Sequence, residues 1–172
     1  RAFIDNYTGE IMVSGLADGQ ISLFGVQSVG GLEETPVIPE YETVRSQLEA
    51  HPDVMLLTPQ ITGFGLLRAE DDRLEGLENS ALTVLFGIDP ETYHEMFDNV
   101  RLVEGAYLET GQEGVMLSVD RIEDLKESAV EGLRDAGMEV DEYEIHVGDS
   151  VRVVSGLSQG LPRIRVVPIV GI

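Results

Sequence analysis

Residues 81–91 read Ala-Leu-Thr-Val-Leu-Phe-Gly-Ile-Asp-Pro-Glu, and they join a strand pattern to a helix start. The run 81–88 is almost entirely apolar, which is typical of a central strand buried on both faces. Asp89 then supplies an N-cap, and Pro90 suits the first position of a helix because its ring fixes φ near the helical value. The stretch therefore predicts a buried strand that leads into a short helix.

Upstream of this junction the pattern predicts one helix between two extended segments. Residues 9–14 are predicted as a short strand, and the apolar spacing predicts a helix over 40–50. Extended chain is predicted over 54–67, where Pro59 suggests a bulge or a sheet edge and the glycines of 63–65 suggest a bend.

Downstream, a strand is predicted over 114–119, and a capping box of Asp120 and Glu123 predicts the start of a long helix. The apolar stripe of this helix consists of Ile122, Leu125, Ala129, Leu133 and Ala136. Two further strands are predicted over 144–154 and 163–170, with Gly148-Asp149 as a turn or bulge at a strand start. Helices and strands alternate irregularly, which predicts an α+β fold with a mixed sheet and packed helices.

Charge and cysteine content exclude several classes of function. The 172 residues include 32 acidic and 11 basic side chains, which gives a formal net charge of −21. A polyanion repels phosphate backbones and anionic lipid surfaces, so no direct nucleic-acid partner is expected. The chain has no Cys, which excludes disulfides, zinc–thiolate sites and cysteine nucleophiles.

One enzyme motif occurs, a Gly-x-Ser-x-Gly pattern over 156–160. In α/β-hydrolases this pattern joins a strand to a helix, and an acid and a histidine follow the serine. Here another predicted strand follows, and no Asp, Glu or His comes after Ser158. A hairpin turn is therefore the favoured interpretation, and no catalytic residue is predicted. A hydrolase that uses Ser158 or a carboxylate pair is the alternative, and a serine mechanism would need His51, His94 or His146 within hydrogen-bond reach of Ser158.

The acidic run 69–79 is the candidate for cation binding. It contains Glu70-Asp71-Asp72 together with Glu75 and Glu78. The spacing and closing glutamate of an EF-hand are missing, which favours a solvated loop. The sequence leaves open whether this run binds cations. No metal or cofactor is predicted anywhere in the chain.

The segment 15–39 is rich in glycine and has no clean period. A buried strand over 20–26 is one interpretation, and an apolar loop that meets a partner is the other. In the second interpretation the candidate partner contacts are Phe24, Val26, Val29 and Leu32.

Four stretches occur in a defined order, and we refer to them as the four motif stretches. They are His51-Pro52-Asp53-Val54 with Thr58-Pro59-Gln60-Ile61; Val84-Leu85-Phe86-Gly87-Ile88-Asp89-Pro90-Glu91; Val103-Glu104-Gly105-Ala106-Tyr107-Leu108; and His146-Val147-Gly148-Asp149-Ser150-Val151-Arg152-Val153 followed by Val167-Pro168-Ile169-Val170-Gly171-Ile172. This series resembles the periplasmic core domain of MacB/FtsX-like ABC-transporter permeases, including the lipoprotein-releasing Lol-type subunits. The resemblance covers the chain from about Gly9 to Ile172.

The resemblance implies a porter-like α/β part over 1–104 and a smaller β-rich subdomain with one long helix over 105–172. Such a domain would lie between two membrane helices of an inner-membrane permease, on the periplasmic or extracellular side. It would be non-catalytic and would couple ATP-driven helix motion to export or release of lipoprotein, peptide or drug. Its expected partners are a separate ATP-binding subunit and a periplasmic carrier or outer-membrane protein.

The family domain continues past the strand 167–172, so the resemblance also implies truncation there. Two segments look expanded relative to the family: the helix 120–137 with its acidic link, and the glycine-rich 15–31. A free-standing acidic binding domain is the third hypothesis. Apolar spans of about 20 residues on both sides of the chain in its parent protein would distinguish the permease from it.

Overall fold

The computed structural model of the protein describes residues 9–15, 36–76, 80–155 and 162–172. Within these ranges it contains both helices and a mixed five-stranded sheet, which confirms the predicted α+β class. The helices are α1 (Tyr41–Glu49), α2 (Pro90–Met96) and α3 (Val119–Asp135), with a short 3-10 helix over Asp72–Leu74; the strands are β1 (Gln60–Ala69), β2 (Ala81–Ile88), β3 (Val115–Met116), β4 (Ser150–Ser155) and β5 (Arg163–Gly171). Among the described residues, no helix combines the length and apolar character that a membrane crossing needs.

The strand order in the sheet is β2-β1-β4-β5-β3. The β1–β4 and β4–β5 pairs are antiparallel, whereas β3 runs parallel to β5. The predicted central place of 81–88 is wrong, because β2 is the outermost strand of the sheet that the described residues form. None of its residues is fully buried. A short apolar run predicts only a hydrophobic strand. The strands that pair with it decide whether it lies at the centre or at the edge of the sheet.

The chain divides into two compact units. The first unit comprises Arg1–Gly63 and Leu85–Arg101, and the second comprises Phe64–Val84 and Leu102–Ile172. The predicted division into 1–104 and 105–172, as parts of a permease domain, stays a prediction.

The second unit is built around α3. Ile122, Leu125, Ala129 and Leu133 are all buried and pack into one apolar cluster with strand residues such as Val151. The predicted stripe is confirmed at these four positions. The fifth, Ala136, is the exposed C-cap.

The predicted capping box of α3 is wrong. The helix begins two residues earlier, where the Ser118 hydroxyl accepts a hydrogen bond from the Arg121 N–H at 3.3 Å. Asp120 lies in the first turn, where its charge favours the helix dipole. The predicted strand 114–119 accordingly shrinks to the two residues of β3.

The last residues of β5 are hydrogen-bonded to other parts of the second unit. The Ile172 N–H donates to the Glu104 carbonyl at 3.0 Å, and the Ile172 carbonyl accepts from the Val103 N–H at 2.7 Å. Gly105 has φ +84°, and a Cβ at this position would clash with the Val170 carbonyl. Only glycine tolerates both the positive φ and the close approach of the Val170 carbonyl at this position.

A tight turn precedes β4, as the sequence predicts. Gly148 has φ +97°, and the Asp149 carboxylate accepts the His146 N–H at 2.8 Å. The turn also shortens the predicted strand 144–154, because the ladder begins only at Ser150.

In the first unit, the start of α2 is confirmed. The Asp89 carboxylate accepts the Glu91 N–H at 3.1 Å, and Pro90 occupies the first turn. Pro59 immediately precedes β1, a position at which its missing N–H disturbs no ladder. Two predictions are wrong: residues 9–14 form no strand, and the glycines of 63–65 lie within β1 rather than at a bend.

Candidate functional site

A cluster of polar side chains lies where β1 ends in the second unit. Asp71 follows the strand, and its carboxylate accepts a hydrogen bond from the Tyr143 hydroxyl at 3.0 Å. The Arg73 guanidinium binds the same carboxylate, with Nη2 at 2.6 Å from Oδ2. Its charged plane also lies 5.4 Å from the centre of the Tyr143 ring. We call Asp71, Arg73 and Tyr143 the polar triad.

The triad fixes the protonation state of its members. Hydrogen bonds from Arg73, opposed by partial burial and aided by Tyr143, lower the pKa of Asp71 from 3.8 to about 2. Burial and the bond to Asp71 raise the pKa of Tyr143 from 10.0 to about 12. At neutral pH Asp71 is therefore ionised and Tyr143 protonated. Neither group is poised for proton transfer, because an acid–base catalyst works best with a pKa near the working pH.

A second ion pair lies beside the triad. The Arg152 guanidinium on β4 reaches both carboxylate oxygens of Glu70, and its Nε lies 2.8 Å from Oε2. Both side chains are partly buried. This bidentate geometry joins the segment after β1 to β4.

A small cleft of about 170 Å³ opens between these groups. It is lined by Ala69, Glu70, Asp71, Arg73, Tyr143, Glu144, Ile145, Asp149 and Ser150. It has room for about five water molecules, and it is smaller than the roughly 300 Å³ at which small-molecule pockets begin. The polar groups around the cleft join the segment after β1 to the segment before β4.

The acidic run 69–79 is more ordered than predicted over its described part, 69–76. Asp71 caps the 3-10 helix Asp72–Leu74, and Leu74 is fully buried. Asp72 and Glu75 are exposed, as predicted for a solvated segment, but 72–74 form a helical turn rather than a loop. Among the described residues no three histidine or acidic side chains come together as metal ligands would.

The three histidines differ in their surroundings. His51 is exposed, and its Nδ1 accepts the Asp53 N–H at 3.3 Å. His146 is also exposed, with its Nε2 3.9 Å from Glu144. His94 is half-buried on α2, and this burial lowers its pKa. Ser158, the nucleophile of the hydrolase hypothesis, lies outside the described residues, so that hypothesis stays untested.

The predicted partner contacts, Phe24, Val26, Val29 and Leu32, also lie outside the described residues. The polar triad was missed by sequence reasoning. Asp71 and Tyr143 are 72 residues apart, and no local pattern links them. The spacing Asp71-x-Arg73 is the one local signal, since it allows a side chain to cap a turn and pair with a neighbour.

No family model and no curated protein sequence matches this chain. A function for it therefore has to come from its own residues and from the resemblance that the four motif stretches carry.

Proposed function

We propose that this chain is the extracytoplasmic domain of a MacB/FtsX-like ABC-transporter permease of the inner membrane. In this proposal it couples ATP-driven motion of membrane helices to the export or release of a lipoprotein, peptide or drug. It performs no catalysis of its own, and ATP hydrolysis belongs to a separate subunit or domain. A periplasmic carrier or outer-membrane protein is its further partner.

The observation that carries the proposal is that the third motif stretch (103–108) and both parts of the fourth (146–153 and 167–172) meet at β5. Residues 103–106 bond to the end of β5 through Val170 and Ile172. The turn before β4 bonds to the same strand, because Gly148 N–H donates to the Ile169 carbonyl at 2.9 Å and the Asp149 carbonyl accepts the Ile169 N–H at 2.8 Å. Residues that define a fold contact one another, whereas a chance series of short matches has no reason to do so.

The other two motif stretches take the local forms that the resemblance implies. The stretch 84–91 is the junction of β2 with α2, capped by Asp89. The stretch 51–61 follows the end of α1 at Glu49 and contains the start of β1 at Gln60. Both agree with the order of helix, strand and strand-to-helix junction in the family.

A relay of motion needs a body that moves as one piece. In the second unit, the Glu70–Arg152 pair and the polar triad hold the segment after β1 against its neighbours. The backbone bonds between Glu104 and Ile172 hold the end of β5. A displacement applied to this strand would be passed to the sheet and to α3 together.

The proposal is tested in the full-length parent protein with single cysteines; this chain has none, and any cysteine elsewhere in the parent is first replaced by serine. Met55 is 96% exposed, and Met55→Cys or Glu139→Cys should react with a membrane-impermeant maleimide in intact cells. Ala129→Cys, at a buried position, is the matched control and should react only after denaturation.

Labelling of the exposed cysteines only after cell lysis would place the domain in the cytoplasm and overturn the proposal. So would a parent protein whose chain lacks apolar spans of about 20 residues beside this domain. The full-length protein should also co-purify with an ATP-hydrolysing subunit, or carry such a domain itself. A hydrolase or a free-standing binding domain has no such requirement.

A further inference from the structure

β5 has an open edge in the second unit. β3 pairs with it only at Ile169 and Gly171, so residues 163–168 have no strand beside them on that side among the described residues. On the other side, β4 pairs with β5 from Arg163 to Pro168. Gly114, just before β3, lies against the Pro168 carbonyl, so the open part of the edge is residues 163–167.

The direction of the backbone groups along this edge follows from Ile169. Its N–H and carbonyl both bond to the chain just before β4, at Asp149 and Gly148. Backbone groups of successive residues point to alternate sides of a strand. Residues 163, 165 and 167 therefore face β4 as well, and Ile164 and Val166 present their N–H and carbonyl groups outward.

The same two residues expose their side chains. Ile164 is 60% and Val166 is 50% exposed, although both are large and apolar. They lie on one face of the sheet, opposite Val154 and Arg152 of β4. The other face of this strand segment carries Arg163 and Arg165, both exposed. The edge thus has an apolar face and a cationic face.

The sequence of β4 and β5 carries no acidic residue, although the chain as a whole is strongly acidic. Residues 150–172 contain no Asp or Glu and three arginines, whereas the whole chain carries −21. Arg152 is occupied by Glu70. Arg165 has Glu113 at 3.9 Å, but both side chains are largely exposed, so this pair is weak. Arg163 and Arg165 are therefore available to an incoming carboxylate.

We infer that the open edge of β5 binds an extended segment of a partner protein in which acidic and apolar residues alternate. The segment adds as a further strand: its backbone bonds to Ile164 and Val166, its carboxylates meet Arg163 and Arg165, and its apolar side chains cover Ile164 and Val166. Strand addition at a sheet edge takes its affinity from the main chain and its specificity from alternate side chains. This inference holds whether or not the chain belongs to a permease.

The competing interpretation is that Arg163, Arg165 and Pro168 protect the edge from any pairing, as charges and prolines do on many edge strands. Strand addition predicts that binding of an extended peptide depends on the charge of the peptide and on its backbone N–H donors. Protection predicts no binding of any extended peptide.

The test measures fluorescence anisotropy of the purified chain with short labelled peptides. A peptide that alternates Glu and Val should bind, and binding should weaken as salt is raised. A peptide that alternates Lys and Val should bind at least roughly tenfold more weakly. Equal affinity for both peptides, or binding to neither, would overturn the inference.

Two N-methylated forms of the Glu–Val peptide test the strand geometry on the unaltered protein. One form is methylated on every Val nitrogen and the other on every Glu nitrogen. Because only one set of N–H groups can face β5, one form should lose binding and the other should keep it. Loss in both forms or in neither would contradict strand addition.

Variants of the protein complete the test. Arg163→Glu with Arg165→Glu should weaken binding of the Glu–Val peptide roughly tenfold, whereas Arg101→Glu in the first unit should not.

Val166→Pro removes an outward N–H without touching the β4 ladder and should weaken binding about fivefold, whereas Val166→Thr keeps that donor. Circular dichroism checks the fold, and if a variant unfolds, the N-methylated pair decides. Binding to phosphatidylglycerol vesicles in place of the peptide would also refute the inference.

Discussion

α1 and α3 are both helices with polar outer faces, but they are held in different ways. α3 has a serine cap and buries four apolar residues, whereas α1 has no buried residue. α1 also starts from Glu40 at φ +50°, with no side-chain cap. The contrast shows that tertiary burial, rather than the helical pattern alone, decides how firmly a helix is held.

Truncation of one leucine in each helix should give the largest difference between α1 and α3 in the free energy of unfolding. Leu125→Ala removes a fully buried side chain of α3 and should lower the free energy of unfolding by about 3 kcal/mol. Leu48→Ala on α1 acts at a half-buried site and should cost less than about 1 kcal/mol. Urea unfolding followed by circular dichroism measures both. Equal losses would show that α1 is held as firmly as α3.

Substitution of one tyrosine in each unit should give the next largest difference in the free energy of unfolding. Tyr143→Phe removes the hydrogen bond to ionised Asp71 in the unit of α3 and should cost about 1 to 2 kcal/mol at pH 7. The Tyr41 hydroxyl on α1 is buried without a hydrogen-bond partner among the described residues. Tyr41→Phe should therefore be neutral or slightly stabilising. A larger loss for Tyr41→Phe would reverse the comparison.

The cost of Tyr143→Phe should depend on pH in a defined direction. The pKa of Asp71 is lowered in the folded chain, so its contribution is complete above the ordinary value of 3.8 and is lost as pH falls toward about 2. The difference between wild type and Tyr143→Phe should shrink over that range. At the alkaline end, the raised pKa of Tyr143 predicts loss as pH rises from 10.0 to about 12. Urea midpoints across pH measure this, and a constant difference below pH 3.8 would contradict it.

Substitutions at the N-caps of the two helices should change the free energy of unfolding least, and in opposite directions. Ser118→Ala removes the cap of α3 and should cost about 1 kcal/mol. Glu40→Gly relieves the left-handed backbone before α1 and should stabilise by up to about 1 kcal/mol. Hydrogen exchange of the first turn of each helix reports the change directly. A loss of protection in α1 with Glu40→Gly would show that Glu40 has a favourable role there.

Features that depend on neighbouring residues were predictable from the sequence. The stripe of α3, the Asp89 cap and the turn at Gly148-Asp149 each arise from contacts within a few positions or from helical period. They could be predicted because their geometry is set by the chain segment itself.

Features that depend on distant partners were not predictable. The edge position of β2 depends on which strands pair, and the burial of Leu74 depends on α3 packing over the 3-10 helix. The polar triad needs Asp71 and Tyr143 to meet across 72 positions. The cap at Ser118 was missed for a different reason: two acceptable caps lie two residues apart, and packing chooses between them.

The place of β5 within the sheet has a consequence during biosynthesis. Of the described strands, Arg163–Gly171 is the last to leave the ribosome, yet it lies between β4 and β3. Until it emerges, β4 lacks one of its two neighbours and the apolar face of α3 lacks Val167 and Ile169, with which it forms one cluster. The second unit therefore cannot complete its sheet or its apolar cluster until this last strand is in place, and its apolar surface and strand edge stay exposed until then.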